Sequence, residues 1–199
     1  MMSRGKIMKL VMRLRRFRRD DGGMALVEFA MVLPVMVLLY LGGVAVTQGV
    51  MTNRKVVLLN HAIGDMISQV TDLTADDATK TFGAAAAVMA PYSTSSSILS
   101  MRVSSVKISA SGTACVEWSV SPTSGYARAA KSDVTSVVPS ELRVANTWLI
   151  MPETKYAYTP IVGVDITGTI NMQKILFLRS RLSSRVRASY LQTDLNACT

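Results

Sequence analysis

Histidine is almost absent from this 199-residue chain: His61 is the only one. A lone imidazole excludes most metal centres and any triad that needs several histidines. No second metal-ligand candidate lies near it, so a place on a helix surface or in domain packing is expected. The serines are plentiful, but none stands in a G-x-S-x-G elbow. Walker A loops and dinucleotide glycine fingerprints are missing too. The chain is expected to be no enzyme and to need no metal or cofactor. Cysteine occurs twice, at Cys115 and Cys198. In an oxidising exterior the two would close one disulfide over a long loop, with about 4–5 kcal/mol as the upper estimate. The other outcome is two thiols, one in a strand and one on a tail.

Negative charge is also scarce, and unevenly so. The formal net charge is +9. Residues 1–23 hold eight Lys and Arg against Asp20 and Asp21, a balance of +6. The remainder keeps 14 basic and 11 acidic side chains, only +3. The excess therefore marks one short segment, and nucleic acid is not an expected partner.

Directly after that segment the charge disappears. From Gly23 to Val46 the chain reads GMALVEFAMVLPVMVLLYLGGVAV, with Glu28 as its one charged residue. The 23 residues from Met24 to Val46 are long enough to cross a bilayer core of ~30 Å as one helix. A cleaved secretory signal would have a shorter apolar region and an A-x-A site, which Val44-Ala45-Val46 imitates poorly. The basic flank is expected to stay cytoplasmic under the positive-inside rule, leaving residues 47–199 outside. The expected organisation is a basic leader over 1–23, a transmembrane helix over 24–46, a helix extension over 47–70, and an external domain over 71–199.

Glu28 needs an explanation. A carboxylate deep in a membrane helix costs about 2.5–3.5 kcal/mol, and such residues tend to mark function. Near the helix start it either snorkels or protonates, or it meets a cation. A cut before Met24 would create that cation, a new amine four residues from Glu28. Pro34 removes an amide in mid-helix and is expected to kink it. Ala45 and Gly49 form a small-xxx-small pair that would let another helix approach closely.

These residues resemble a known family. Gly23 followed by Met-Ala-Leu-Val-Glu-Phe reads G-x-x-x-x-E-F at the junction of a basic leader and an apolar helix. This is similar to the class III signal of type IV pilin-like proteins. More closely, RFRRDDGG-MALVEFAMVLPVMVLL resembles the TadE/TadF-like minor pilins, or pseudopilins, of tight-adherence (Flp-type) pilus systems. The basic leader, the small residue, the Leu26–Phe29 core and Leu33-Pro34 all have counterparts there. The resemblance implies cleavage between Gly23 and Met24 by a prepilin peptidase. Of Gly22 and Gly23, only the latter makes Glu28 the fifth mature residue. It further implies an assembly role for Glu28 and Phe29, with Glu28 neutralising a neighbouring subunit's N-terminal amine. The implied partners are the peptidase, other minor pilins and the major pilin, an inner-membrane secretion platform and the lipid bilayer. The implied location is the bacterial inner membrane, single-pass, with the external domain periplasmic.

Beyond the span, Val50, Val57, Leu58, Ala62, Met66 and Val70 keep spacings near three and four, predicting that the helix runs on to Val70. Thr74-Ala75-Asp76-Asp77 has the form of a capping box with Asp in place of Glu, and predicts a helix through Ala78 to Met89. Alternation then predicts a strand over Met101–Ala110, a turn at Ser111-Gly112, and a partner strand over Thr113–Val120. Residues 121–139 read as irregular, and Pro139–Leu142 as a short turn or helix start. Asn146–Met151 and Lys155–Pro160 read as two extended segments. In the latter, alternating Tyr156 and Tyr158 are expected in strand packing, and Y-x-Y-x-P resembles a segment of TadE-like external domains. A short helix is expected at Met172–Leu178 and a last strand at Ser183–Tyr190. The fold class is α+β: a long N-terminal helix and a small domain with an antiparallel sheet. A rival reading is an uncleaved single-pass scaffold or sensor of an envelope complex.

Overall fold

The computed structural model describes residues 22–160 and 168–191. Most of the basic leader, residues 161–167 and the C-terminal residues 192–199 with Cys198 lie outside the described residues. The chain divides into two units, Met1–Thr47 and Gln48–Thr199.

Helix α1 (Gly22–Ser68) runs through Pro34. Every residue from Gly23 to Tyr40 is exposed, so this half has no buried face of its own. An 18-residue window reaches a mean hydropathy of 2.4, and the helix is long enough to cross a membrane. In the second unit the last turns of α1 behave differently. Thr52, Val56, Leu59, Asn60, Ile63, Ile67 and Ser68 are buried there. These are not the residues whose spacing predicts the helix: Val50 and Leu58 are exposed. The period was legible, but the buried stripe includes polar Thr52, Asn60 and Ser68, which hydropathy cannot pick out. The helix also stops two residues short of Val70. The chain turns there into an isolated bridge between Asp72 and Arg187, with Leu73 N donating to Arg187 O at 2.8 Å and Arg187 N to Thr71 O at 3.0 Å.

Helix α2 (Ala75–Ala87) begins with the predicted capping box. Asp77 N donates to Thr74 Oγ1 at 3.1 Å, and Thr74 N to Asp77 Oδ2 at 3.4 Å. The carbonyls of Val88, its C-cap, and of Ala90 just beyond accept from Lys55 Nζ, a cation placed where the helix dipole favours one. Ala78, Phe82 and Ala85 face the core.

Four antiparallel strands follow: β1 (Leu99–Ile108), β2 (Ala114–Val120), β3 (Trp148–Tyr158) and β4 (Ile170–Ile175), in the order β2-β1-β3-β4. The β1–β2 hairpin lies where alternation predicts it, turned at Gly112 with φ 82°, a left-handed conformation that glycine adopts without strain. Beyond it the structure corrects three expectations. Asn146–Met151 and Lys155–Pro160 are not separate: β3 runs straight through Pro152, which pairs with Val103. Ile150 N donates to Leu178 O, and Leu176 N to Pro152 O. Residues two apart point the same way, so the amide that proline lacks falls on the β4 side, just before the β4 register begins at Glu153. Met172–Leu178 is not helical, since Ile170–Ile175 forms β4. The outward amides of β3 need a partner, and this segment supplies it. Ser183–Tyr190 is not a strand, although Val186 and Ala188 are buried as alternation predicts. It crosses the Asp72 bridge and ends in a 3-10 turn at Ser189–Leu191, leaving Tyr190 exposed.

The sheet is covered on both faces. One core joins α1 and α2 to Leu99, Met101, Val103, Trp118, Ile150, Tyr156 and Tyr158. The other lies under the 121–147 segment and holds Val106, Ile108, Val116, Val134, Val138, Leu149 and Met151. The α+β class with a long N-terminal helix and an antiparallel sheet is the architecture found.

Candidate processing and assembly segment

Gly23, Met24, Glu28, Phe29 and Pro34 all stand on the exposed first half of α1. Met24 and Glu28 are four residues apart and so share a helix face. Phe29 is 62% exposed. No cation of the described residues forms an ion pair with Glu28. Gly23 has open space where a Cβ would stand. The segment is apolar all round apart from one carboxylate, a pattern that suits a helix surrounded by lipid or by other apolar helices. Gly49 differs from its expected role. A Cβ there would meet Tyr158 Cε1 at 3.7 Å, so this small residue lies against the chain's own domain.

Cys115 stands in β2, half-exposed, and is not a free thiol. Its expected partner, Cys198, lies outside the described residues. His61 is exposed on α1.

Sequence reasoning missed the buried charges of the domain. Glu153 of β3 is fully buried between two guanidinium groups. Arg128 donates from Nη2 to Oε1 at 2.7 Å and from Nε to Oε2 at 3.1 Å, and Arg102 Nε donates to Oε2. Burial pushes the Glu153 carboxyl up, but the Arg128 and Arg102 hydrogen bonds outweigh it and hold it below the ordinary range. Arg102 also stacks 4.4 Å from the Tyr126 ring centroid and donates to Tyr126 O. The cluster thus fastens the 121–147 segment to the sheet. Glu117 is the residue left unpaired by the register shift opposite Ser105 and Val106, a β-bulge. It accepts from Ser105 Oγ at 3.0 Å and from Arg185 Nη1 at 3.3 Å. Asn60 Oδ1 accepts from Thr154 Oγ1 at 3.0 Å, joining α1 to β3. Alternation could flag Glu117 and Glu153 as polar residues inside strands, but their partners lie 68 and 25 residues away in sequence.

A groove of about 450 Å³ between Ala75, Ala78, Phe82, Val120, Pro122 and Tyr190 is mostly apolar and holds no charged side chain. Among the described residues, no group of three or more His, Cys, Asp or Glu could hold a metal ion.

No curated protein and no solved structure matches the chain. Residues 23–57 match the family model described as TadE-like protein. The match takes in the exposed half of α1 and its first turns in the second unit, and leaves the sheet uncovered. That segment is similar to the TadE-like proteins of tight-adherence pilus systems, and the family match extends no farther along the chain.

Proposed function

We propose that this chain is a minor pilin, or pseudopilin, that takes part in assembling a Flp-type adhesive pilus. In this reading a prepilin peptidase cuts between Gly23 and Met24 on the cytoplasmic side of the inner membrane. The helix stays single-pass, and the domain stands in the periplasm, where Cys115 and Cys198 are joined. Glu28 then neutralises the amine of Met24 on an adjacent subunit, and Phe29 and Pro34 shape the packing of apolar helices around it. The role is structural, with no catalysis by the chain itself. Its partners are the peptidase, sibling pilins and the secretion platform.

The observation that carries this reading is the position of one charge. Glu28 is the only ionic side chain of the exposed first half of α1, and it stands five residues after residue 23, where the match to TadE-like proteins begins. A charge there is expensive in lipid unless it acquires a partner.

N-terminal sequencing of the membrane-extracted protein tests the cut. Met24 as first residue is the expected result, and an intact leader would favour the uncleaved scaffold. Glu28→Gln tests assembly: the variant should be cut and remain in the membrane yet fail to enter the pilus apparatus.

A further inference from the structure

We infer that the end of the external domain nearest the span seats in the headgroup layer of the bilayer, with Arg54 facing anionic phospholipid phosphates. This rests on reading residues 24–46 as a membrane span.

The tether is short. Only Thr47 and Gln48 separate Val46 from Gly49. Three residues reach at most about 11 Å fully extended, and about 4.5 Å in a helix. The polar layer on each side of the hydrocarbon core is roughly 5–7 Å thick. Gly49 therefore stands within or just above that layer. The Tyr158 ring lies against Gly49 and brings the end of β3 to the same depth. Tyr158 pairs with Ile170 at the start of β4, and paired residues share a face.

The side chains at this level suit such a medium. Val50, Met51 and Ile170 are 47%, 55% and 42% exposed. Val50 and Met51 are successive residues of α1 and so lie about 100° apart around it, while Ile170 belongs to β4, so a partner on one side of the helix would cover only some of them. A bilayer surface surrounds the helix and covers all three. Arg54 is exposed, and no ion pair joins it to another described residue. Helical side chains lean toward the helix N-terminus, so this guanidinium leans back along α1 toward Gly49. Aliphatic groups beside a basic side chain are the composition that binds anionic interfaces.

The two ends of β4 give a matched pair, since Ile175 is 39% exposed but lies five residues farther along the strand. A noncanonical spin-label side chain is placed at Val37, Ile170 or Ile175 in the full chain. Each protein is reconstituted in vesicles of phosphatidylethanolamine and phosphatidylglycerol, after a thermal melt has shown that it folds. Collision with lipid-soluble oxygen is compared with collision with a water-soluble nickel chelate. The expected result is oxygen-dominated collision at Val37, and nickel access at Ile170 several-fold below that at Ile175. Replacing phosphatidylglycerol with phosphatidylcholine should raise nickel access at Ile170, and Arg54→Gln should remove that lipid dependence. Equal nickel access at 170 and 175, with Val37 still in lipid, overturns the inference and leaves the span intact. Water access at Val37 overturns both. Protection at Ile170 that appears only at high protein-to-lipid ratio assigns the rim to a second copy and likewise overturns it. An unchanged lipid response in Arg54→Gln removes the phosphate contact.

Discussion

The first half of α1 and its last turns are one helix made of similar aliphatic residues, yet they behave as opposites. From Gly23 to Tyr40 the side chains are exposed on every side. From Thr52 to Ser68 one stripe is buried against the sheet and α2, and polar Asn60 lies inside it, hydrogen-bonded to Thr154. The difference shows what hydropathy measures. It reports how strongly a segment avoids water, and says nothing about what covers it. The upstream half has a uniformly apolar surface, a pattern that suits uniform surroundings. The downstream half has a patterned surface because each position meets a particular neighbour.

The largest expected effect is at the buried charge cluster. Glu153→Gln leaves Arg102 and Arg128 without their carboxylate, and breaking such a pair costs about 3–5 kcal/mol. The low end is expected, because both arginines keep some access to water. Denaturant unfolding of the wild-type and variant chains measures it, and an unchanged midpoint would show that the cluster does not hold the 121–147 segment. The same site sets a pH dependence. The Glu153 carboxyl sits below its ordinary range in the folded state. Its contribution is therefore fully present above the unfolded value of about 4.3 and fades as pH falls through the depressed folded value. The wild-type advantage over Glu153→Gln should be constant from neutral pH down to about 5 and shrink below 4.

Next comes a direct contrast within α1. Ile63→Ala empties a fully buried site and should destabilise the domain by about 2–5 kcal/mol. Leu39→Ala, at a site 67% exposed, should leave the same unfolding transition in place. Equal losses at the two sites would mean that the upstream half is packed against protein after all, and would break the comparison.

Gly64→Ala ranks third. A Cβ there would stand 2.4 Å from Leu178 Cδ1 and 3.1 Å from Pro152 Cγ. The leucine tip can move and the proline ring cannot, so a loss of about 1–3 kcal/mol is expected from overpacking. A melting temperature at or above wild type would show that α1 and β3 have room to separate. Smaller still is Thr74→Ala, which removes the cap of α2 and should cost about 1 kcal/mol. Lys80→Ala breaks only an exposed pair with Asp76 and should not shift the melting temperature measurably.

Much of this protein was legible as sequence where a local rule governs. The long apolar helix, the helix period after Val46, the capping box of Thr74 and Asp77 and the β1–β2 hairpin follow from hydropathy, spacing and turn residues within a few positions of one another. The strands after Asn146 were legible only in part. Pro152 reads as a break, yet β3 continues because the β1 register runs on through Val103 opposite Pro152, and Pro152 O still accepts from Leu176 N on the other side. Met172–Leu178 has no strong period, and its strand state depends on the free edge of β3. Ser183–Tyr190 shows a clean period of two, yet finds a loop and the Trp118 indole, which donates to Val186 O at 2.9 Å, instead of a sheet edge.

The candidate segment divides the same way. Gly23, Met24, Glu28 and Pro34 are named from the chain alone, because the proposal about them rests on their order along one helix. The sequence determined by itself that a charge-poor helix of membrane length follows a basic leader, and that its one carboxylate stands four residues after Met24. Only the tertiary structure decided that Gly49 lies against Tyr158, that Glu117 fills a bulge and that Glu153 is enclosed by two arginines. Those pairings are made by strands and loops meeting across long sequence separations, where the stabilisation depends on distance and burial in space, neither of which a linear pattern records.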